Sequence, residues 1–227
     1  MSFGLGPQEW QAVQLSLLVS LVATAASLPL ATATAWLLAR RRFPGHGLLS
    51  GIVHLPLILP PVVTGYLLLI VFGTQGAVGG FLKELGIILA FRWTGAALAA
   101  AVMAFPLMVR AIRLGFEAVD PKLEQAAATL GAPRGWIFLS VTLPLLMPAI
   151  LAGATLGFAK AMGEFGATIT FVSNIPGQTQ TLPSAIYAFL ETPGGEGPAM
   201  RLVVISVIVA MGAVLLSEFL ARRMVRN

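Results

Sequence analysis

The 227-residue sequence contains no cysteine, only two histidines and few charged residues, and each scarcity excludes a class of function. Without cysteine the chain forms no disulfide, no thiolate metal site and no cysteine nucleophile. His46 and His54 have no cluster of carboxylates beside them, so we expect no bound metal. None of the three lysines follows a glycine, which excludes the phosphate-binding loop of a Walker ATPase. Basic residues interleaved with aromatic residues are also absent, so nucleic acid is not an expected partner.

Hydrophobic side chains are abundant instead: they make up 57% of the chain, charged residues make up 10%, and the mean hydropathy is +0.90. A soluble globule of this size could not bury so much apolar surface in one core. A membrane-spanning helix needs about 20 mainly apolar residues to cross about 30 Å of hydrocarbon. Five stretches meet this requirement, at 12–39, 48–72, 94–115, 145–168 and 201–221. The sequence therefore predicts an all-α protein surrounded by lipid, a bundle of about five helices forming one transmembrane domain over residues 1–227.

The basic residues are distributed unevenly between the two sides of these spans. Lys83, Arg92 and Arg201 fall on one side, and Lys160 lies within the fourth span. The other ten fall on the opposite side: Arg40, Arg41, Arg42, Arg110, Arg113, Lys122, Arg134, Arg222, Arg223 and Arg226. Because the cytoplasmic side of membrane proteins is enriched in Lys and Arg, we expect the amino terminus outside the cell and the carboxyl terminus in the cytoplasm.

The second span contains Pro56, Pro60 and Pro61. Breaks in a membrane helix persist where neighbouring helices or water satisfy the freed backbone carbonyls, so we expect this span to line something other than lipid. Pro60, Pro61, Thr64 and Gly65 form either the flexible part of a gate or a static kink fitted to its neighbours.

The fourth span contains two charged residues, Lys160 and Glu164, and a lone charge in the bilayer is costly. Their spacing allows them to neutralise each other on one helix face. Two other interpretations remain: Lys160 helps to draw an anion through a pathway, or the pair serves packing between subunits. Phe165 lies between two glycines, where it either narrows a pore or fills a gap.

The loop between the third and fourth spans, residues 116–143, contains a short predicted helix. Asp120 is a suitable N-cap, Pro121 suits the first helical position, and Gly131 suits a left-handed end. Apolar residues recur along it every three or four positions, at Leu123, Ala126, Ala127 and Leu130. Such a helix either fits the groove of a partner protein or lies on lipid headgroups.

The segments QAAATLG at 125–131 and VTLP at 141–144 resemble the cytoplasmic EAA loop of ATP-binding-cassette importer permeases, with the same spacing from Gly131 to Pro144. Gln125 stands where that pattern has glutamate, Glu124 precedes it, and Val141 replaces isoleucine. The resemblance implies that this loop docks into a cleft of an ATPase and couples it to transport. The implied coupling residues are Glu124, Gln125, Ala126, Ala127, Leu130, Gly131, Ala132 and Pro133.

Two further segments resemble the molybdate importer permeases and, more distantly, their sulfate relatives: RRRFPGHGLLSGIVHLPLILPPVVTGYLLL at 40–69 and GEFGATITFVSNIPGQTQTLPSAIY at 163–187. The resemblance implies a homodimer in the bacterial inner membrane that moves an oxyanion, molybdate or tungstate, from periplasm to cytoplasm. It also implies two cytosolic ATPase subunits, which hold ATP and Mg²⁺, and a periplasmic oxyanion-binding protein. This chain is then a transport subunit without cofactor or enzymatic activity of its own. A sulfate or thiosulfate permease of the same architecture is the alternative.

The outer segment at 173–200 is rich in proline and glycine around a short helical patch at 182–191. It is either the docking surface for the binding protein or an inert connection. Two other classes of protein are alternatives to a permease subunit. A secondary transporter requires intramembrane carboxylates or inverted repeats, and only Glu164 qualifies. An intramembrane enzyme requires a nucleophile with a base, and His54 is the one base near a span.

Overall fold

The structure is a computed structural model that describes the backbone of residues 4–226 and the side chains of residues 4–223. The predicted domain therefore begins and ends outside the described residues, and so does the side chain of Arg226. Within the described range the chain contains helices and no strand, which confirms the all-α class. The helices are α1 (Pro7–Arg40), α2 (His46–Ile58), α3 (Pro61–Phe72), α4 (Ala77–Glu84), α5 (Trp93–Ala118), α6 (Pro121–Thr129), α7 (Arg134–Ile137), α8 (Leu143–Met162), α9 (Gly166–Val172), α10 (Leu182–Leu190) and α11 (Glu196–Arg226), with a π-helical segment at Phe138–Thr142.

Four helical stretches between residues 4 and 226 are long and apolar enough to cross a membrane. They are Pro7–Arg40, Trp93–Ala118, Arg134–Met162 and Glu196–Arg223. The third of them joins α7, the π segment and α8. Helices α2 and α3 together make a fifth span if the bent pair is counted as one.

Helix α5 lies at the centre of the molecule, with 61% of its most apolar window buried, compared with 11% for α11. It packs most extensively against α1 and α8. Small side chains allow this approach: Ala23 of α1 belongs to the same buried cluster as Ala96, Ala99 and Ala100 of α5. Between membrane helices, close packing of small residues replaces the hydrophobic driving force that operates in water.

The second predicted span is bent by 114° between α2 and α3. Pro56 lies inside α2 without ending it, and the chain turns instead at Leu59 and Pro60. The Pro60 carbonyl accepts hydrogen bonds from the amides of Val63, at 2.9 Å, and Thr64, at 3.2 Å. The break therefore comes from the proline pair, whose rings fit the start of a new helix, and Pro56 does not contribute to it.

The fourth predicted span is not the continuous helix that we expected at 145–168. Helical structure begins earlier, at Arg134, and α8 ends at Met162. Residues 163–165, here called the α8–α9 break, separate it from α9. The Glu164 carboxylate accepts a hydrogen bond from the Ala167 amide at 2.9 Å, so the side chain begins the new helix where the old one has ended.

Candidate functional site

Helix α6 is defined at both ends by the residues that the sequence indicates. The Asp120 carboxylate accepts a hydrogen bond from the Lys122 amide at 2.9 Å, which caps the start of the helix. At the other end Gly131 adopts a φ of +85°, a conformation that strains any residue with a side chain. The Ala132 amide donates to the Ala127 carbonyl at 3.3 Å, completing a Schellman-type ending. The predicted helix of the loop is therefore confirmed.

Helix α6 and the residues that follow it carry exposed apolar side chains. None of its residues is buried. Leu130, which follows its last turn, is 88% exposed, and Leu123 and Trp136 are also exposed. Exposed apolar side chains concentrated in one place indicate a surface that something else covers. Both predicted partners of this face, an ATPase cleft and the lipid surface, are compatible with its exposure.

Glu124 connects α6 to two other elements. Its Oε1 accepts hydrogen bonds from Arg40 Nη2, at 3.2 Å, and from Thr142 Oγ1, at 2.8 Å. Arg40 ends α1 and Thr142 ends the π segment, so one carboxylate ties the loop helix to two membrane spans. Gln125, which occupies the glutamate position of the EAA pattern, is exposed.

The contacts of Glu124 were not anticipated from the sequence. Its two partners lie 84 and 18 residues away. The available signal was a hydroxyl at Thr142 inside the second motif, together with the acidic residue Glu124 immediately before the first.

Lys160 and Glu164 form the predicted ion pair, but not on one helix face, because α8 ends at Met162 and Glu164 lies in the α8–α9 break. Lys160 Nζ lies 2.7 Å from Glu164 Oε2, and Glu164 Oε1 accepts the Ala167 amide. The Glu164 side chain is 1% exposed, whereas that of Lys160 is 28% exposed. The carboxylate is therefore fully engaged and neutralised, while part of the Lys160 side chain remains exposed.

The two groups of predicted gate residues meet where α3 packs against α9. A Cβ atom on Gly65 would lie 2.5 Å from the Ala167 carbonyl oxygen, and one on Gly166 would lie 2.7 Å from Pro61 Cβ. Only glycine permits so close an approach of two backbones. Thr64 is also buried here, and its hydroxyl has no hydrogen-bond partner among the described residues. The break at Pro60 and the α8–α9 break are therefore parts of one contact.

Phe165 links this contact to the outer segment. Its ring centroid lies 5.3 Å from that of Tyr187 on α10. A hydrogen bond with the Glu191 carboxylate, and the negative charge of that group, raise the pKa of the Tyr187 hydroxyl. The aromatic side chain at the break is thus covered by a helix that the sequence places in the outer segment.

The outer segment is attached to the first turns of α1. The Leu182 amide donates to Ser16 Oγ at 2.6 Å, and Gln8 Nε2 donates to Gln180 Oε1 at 2.9 Å. These bonds cross more than 160 residues of sequence. The segment between α9 and α11 is thus an ordered structure with fixed attachments.

A bidentate ion pair joins the two helices that flank this segment. Arg201 Nε and Nη2 lie 2.9 and 3.1 Å from the two carboxylate oxygens of Glu9. The pair connects the start of α1 to the start of α11, and the Glu9 side chain is buried. It was missed in the sequence, although both residues fall on the same predicted side.

Both histidines lie next to backbone carbonyl groups. Within the part of the chain that the structure describes, no three His, Asp or Glu side chains are grouped closely enough to hold an ion. His46 Nε2 lies 3.0 Å from the Leu38 carbonyl, and His54 Nδ1 lies 2.7 Å from the Ser50 carbonyl. Both rings are engaged by backbone oxygens.

Comparisons with known proteins agree with this architecture. The family described as binding-protein-dependent transport system inner membrane component matches residues 27–226. The molybdenum transport system permease protein ModB of Escherichia coli (strain K12) is 60% identical over 215 residues, 94% of each chain. The sulfate transport system permease protein CysT of Salmonella typhimurium (strain LT2) is 38% identical over 185 residues, 82% of this chain and 67% of that protein.

A solved structure shows the same fold at low sequence identity. The bacterial ABC transporter involved in the import of the acidic polysaccharide alginate has a TM-score of 0.73 at 18% identity, over 96% of this chain and 80% of that one. The family match covers most of the residues described above, including the capped loop helix and both helix breaks. The chain therefore belongs to the family of binding-protein-dependent transport system inner membrane components.

Proposed function

We propose that this chain is the membrane-spanning subunit of an ATP-driven importer that moves molybdate from the periplasm to the cytoplasm. The observation that carries the proposal is the 60% identity to the molybdenum permease of E. coli along nearly the whole of both chains. The lower identity to a sulfate permease makes sulfate or thiosulfate the second candidate. Tungstate, which has nearly the same shape and charge as molybdate, is an expected competing substrate.

The energy for transport comes from other subunits in this proposal. The chain has no Gly-Lys pair, so ATP and Mg²⁺ bind to two cytosolic ATPase subunits that attach below it. A second copy of this chain completes the pathway, and a periplasmic oxyanion-binding protein delivers the substrate at the outer segment. The attachments of that segment to α1, through Ser16 and Gln8, support a defined docking surface.

The orientation follows from the charges and from two ion pairs. Arg40 and Glu124 lie together at one end of the bundle, and Glu9 and Arg201 lie together at the other. Ten basic residues of the sequence belong to the first end, which we assign to the cytoplasm. The amino terminus is then periplasmic and the carboxyl terminus cytoplasmic.

Coupling runs through α6. A cleft on the ATPase receives the apolar face of α6 and its Schellman ending. These comprise Ala126, Ala127, Leu130, Gly131 and Ala132, with Gln125 and Pro133 on either side. When the ATPase subunits close on ATP they move this helix, and Glu124 carries the displacement to Arg40 and Thr142. Such coupling requires the two conformations of the permease to differ in their contact energy with the ATPase.

The gate lies at the contact between α3 and α9. Pro60 and Pro61 allow α3 to change its angle, and the glycine contact of Gly65 with α9 transmits that change to the α8–α9 break. At that break Phe165 narrows the pathway, while the exposed side of Lys160 attracts the oxyanion. Glu164 keeps the lysine fixed and the site close to neutral. Thr64 supplies a buried hydroxyl at the same place.

Uptake by the reconstituted complex tests the proposal. The chain, its ATPase and the binding protein are placed in proteoliposomes, and accumulation of radiolabelled molybdate, tungstate and sulfate is compared with and without ATP. We expect ATP-dependent molybdate uptake with competition by tungstate. Accumulation of sulfate in its place supports the second candidate. Transport by the chain alone, driven by an ion gradient, indicates a secondary transporter and overturns the proposal.

A further inference from the structure

A groove with a volume of about 1130 Å³ runs along the last turns of α1, facing α6, α7 and the π segment. Its apolar wall includes Leu28, Ala33 and Trp36 of α1 and Ile150 of α8. Ala33 and Trp36 are exposed although they lie within a membrane span. We call this feature the α1–α6 groove.

The length of the groove matches one half of a bilayer. On α1 its lining extends from Leu28 to Arg40. Twelve helical steps of about 1.5 Å cover about 18 Å. Half of the hydrocarbon core measures about 15 Å, so an acyl chain from one leaflet fits the groove while its headgroup reaches the arginine end.

The charge at that end is positive. Arg40, Arg41, Arg134 and Glu124 line it, which leaves a net charge of +2. Glu124 is already neutralised by Arg40. The ion pairs found among the described residues do not include Arg41 or Arg134. The Arg41 guanidinium lies over the Trp36 ring, 5.5 Å from its centroid, and tryptophan is a residue type enriched at the headgroup layer.

We propose that the α1–α6 groove binds one anionic glycerophospholipid, with its phosphate against Arg41 and Arg134 and an acyl chain along Leu28, Ala33 and Ile150. The proposal rests on the proposed function only in assigning the lipid to the cytoplasmic leaflet. Basic residues next to an apolar trough select an anionic headgroup over a zwitterionic one. The lipid contacts the same elements that Glu124 ties together, so its occupancy affects how α6 sits against α1.

Lipid retention by the purified transporter complex tests this site. The complex is exchanged into phosphatidylglycerol or phosphatidylcholine, stripped with detergent, and the retained lipid is counted by native mass spectrometry. We expect preferential retention of phosphatidylglycerol. Each of Arg41→Gln and Arg134→Gln should lower retention about fivefold, and the double variant about 30-fold. Ala33→Phe, which fills the trough, should lower retention of both lipids.

Arg223→Gln is the matched control, because Arg223 also lies over an aromatic ring, that of Phe219, but at the end of α11 and outside the groove. Equal retention of the two lipids, or equal losses in the double variant and in Arg223→Gln, overturns the proposal.

The chain lacks cysteine, so Ala33→Cys introduces a unique thiol. A disulfide between two such chains, or protection of the thiol only when the ATPase is bound, shows that protein occupies the groove and overturns the proposal as well. Oxyanion uptake is measured on the same preparations: uptake without preferential retention of phosphatidylglycerol overturns this proposal alone, and preferential retention without uptake overturns the proposed function alone.

Discussion

Glu124 and Glu164 use the same chemistry in two different surroundings. Each carboxylate pairs with a basic side chain and accepts a second hydrogen bond at a helix end, from Thr142 in one case and from the Ala167 amide in the other. The Glu124 side chain is 31% exposed at the end of the bundle, and the Glu164 side chain is 1% exposed within it.

The difference in burial separates an adjustable connection from a fixed one. Water next to Glu124 screens its ion pair and replaces its hydrogen bonds when they break, so each contact contributes about 1 kcal/mol or less. The Glu164 carboxylate is buried, and an unpaired charge there costs several kcal/mol. We infer that Glu124 is an adjustable link between α6 and the membrane spans, whereas Glu164 keeps Lys160 and the start of α9 together when α3 changes its angle.

The largest effect is expected from Glu164→Ala. The change leaves the Lys160 ammonium without its partner and the Ala167 amide without an acceptor. Removal of one member of a buried ion pair costs about 3–5 kcal/mol. Thermal unfolding of the detergent-purified complex should show a large drop in melting temperature, together with reduced yield of folded protein.

The double variant Lys160→Met with Glu164→Gln sharpens the same test. It removes both charges, while the glutamine oxygen still accepts the Ala167 amide. We expect the double variant to recover much of the stability lost by Glu164→Ala. If the two variants unfold at the same temperature, the ion pair does not hold the break, and the contrast between the two glutamates disappears.

The second effect concerns the end of α6. Gly131→Pro forces a φ near −65° where the structure has +85°, at a cost of about 3 kcal/mol, so the docking conformation becomes about 100-fold rarer. Membrane insertion should be unchanged and ATP hydrolysis should continue, while oxyanion uptake falls by about two orders of magnitude.

Gly131→Ala provides the graded control. No atom lies within 4 Å of the added methyl group, so only the left-handed backbone opposes it, by about 1 kcal/mol. Uptake should fall severalfold and not vanish. Parent-level uptake by Gly131→Pro, measured in proteoliposomes with the complete complex, contradicts the coupling role of α6.

Local features of this chain were predictable from local sequence. The caps of α6 follow from Asp120 and Gly131, and the ion pair of Lys160 with Glu164 follows from a spacing of four residues. The caps of α6 are set within that helix, and the ion pair joins residues only four positions apart, so neither needs a contact between residues distant in the sequence. The apolar stretches likewise predicted where helices of membrane-spanning length occur.

Features that depend on distant contacts were not predictable. The α8–α9 break arises because Glu164 meets Ala167 while α3 presses on Gly166, a contact that hydropathy does not encode. The Glu9 pair with Arg201 joins residues 192 positions apart. The hydrophobic pattern of the sequence predicts which residues are apolar. It does not predict where a membrane helix breaks or how the chain turns there, because both depend on the helix that packs beside it.

A third prediction concerns the exposed side of Lys160. Lys160→Met removes the positive charge proposed to attract the oxyanion, and an interaction between unit charges at about 10 Å with an effective dielectric constant of about 20 amounts to about 1.7 kcal/mol. It also leaves the buried Glu164 carboxylate without its partner, so the melting temperature should fall and the KM is measured on the folded complex. We expect the KM for molybdate to rise about tenfold, while Lys160→Arg stays near the parent. Lys83→Met, on the outer helix α4, is the control for a general effect of charge. Unchanged uptake by Lys160→Met removes Lys160 from the pathway and leaves it a structural role alone.

The smallest effect is expected from Glu124→Gln, and it is the most informative about the comparison. The amide still accepts the Thr142 hydroxyl, but it loses the charge that attracts Arg40, which at this exposure is worth about 1 kcal/mol. Uptake should fall about two- to fivefold at low salt, and less at high salt, because the pair is partly solvated. Arg40→Gln should have a similar effect, and the double variant should be no worse than either single one, since all three lack the same interaction. Additive losses in this cycle show that Glu124 and Arg40 act through separate partners.

A loss as large as that of Glu164→Ala shows that burial does not distinguish the two carboxylates, because the exposed one then holds its helix as firmly as the buried one.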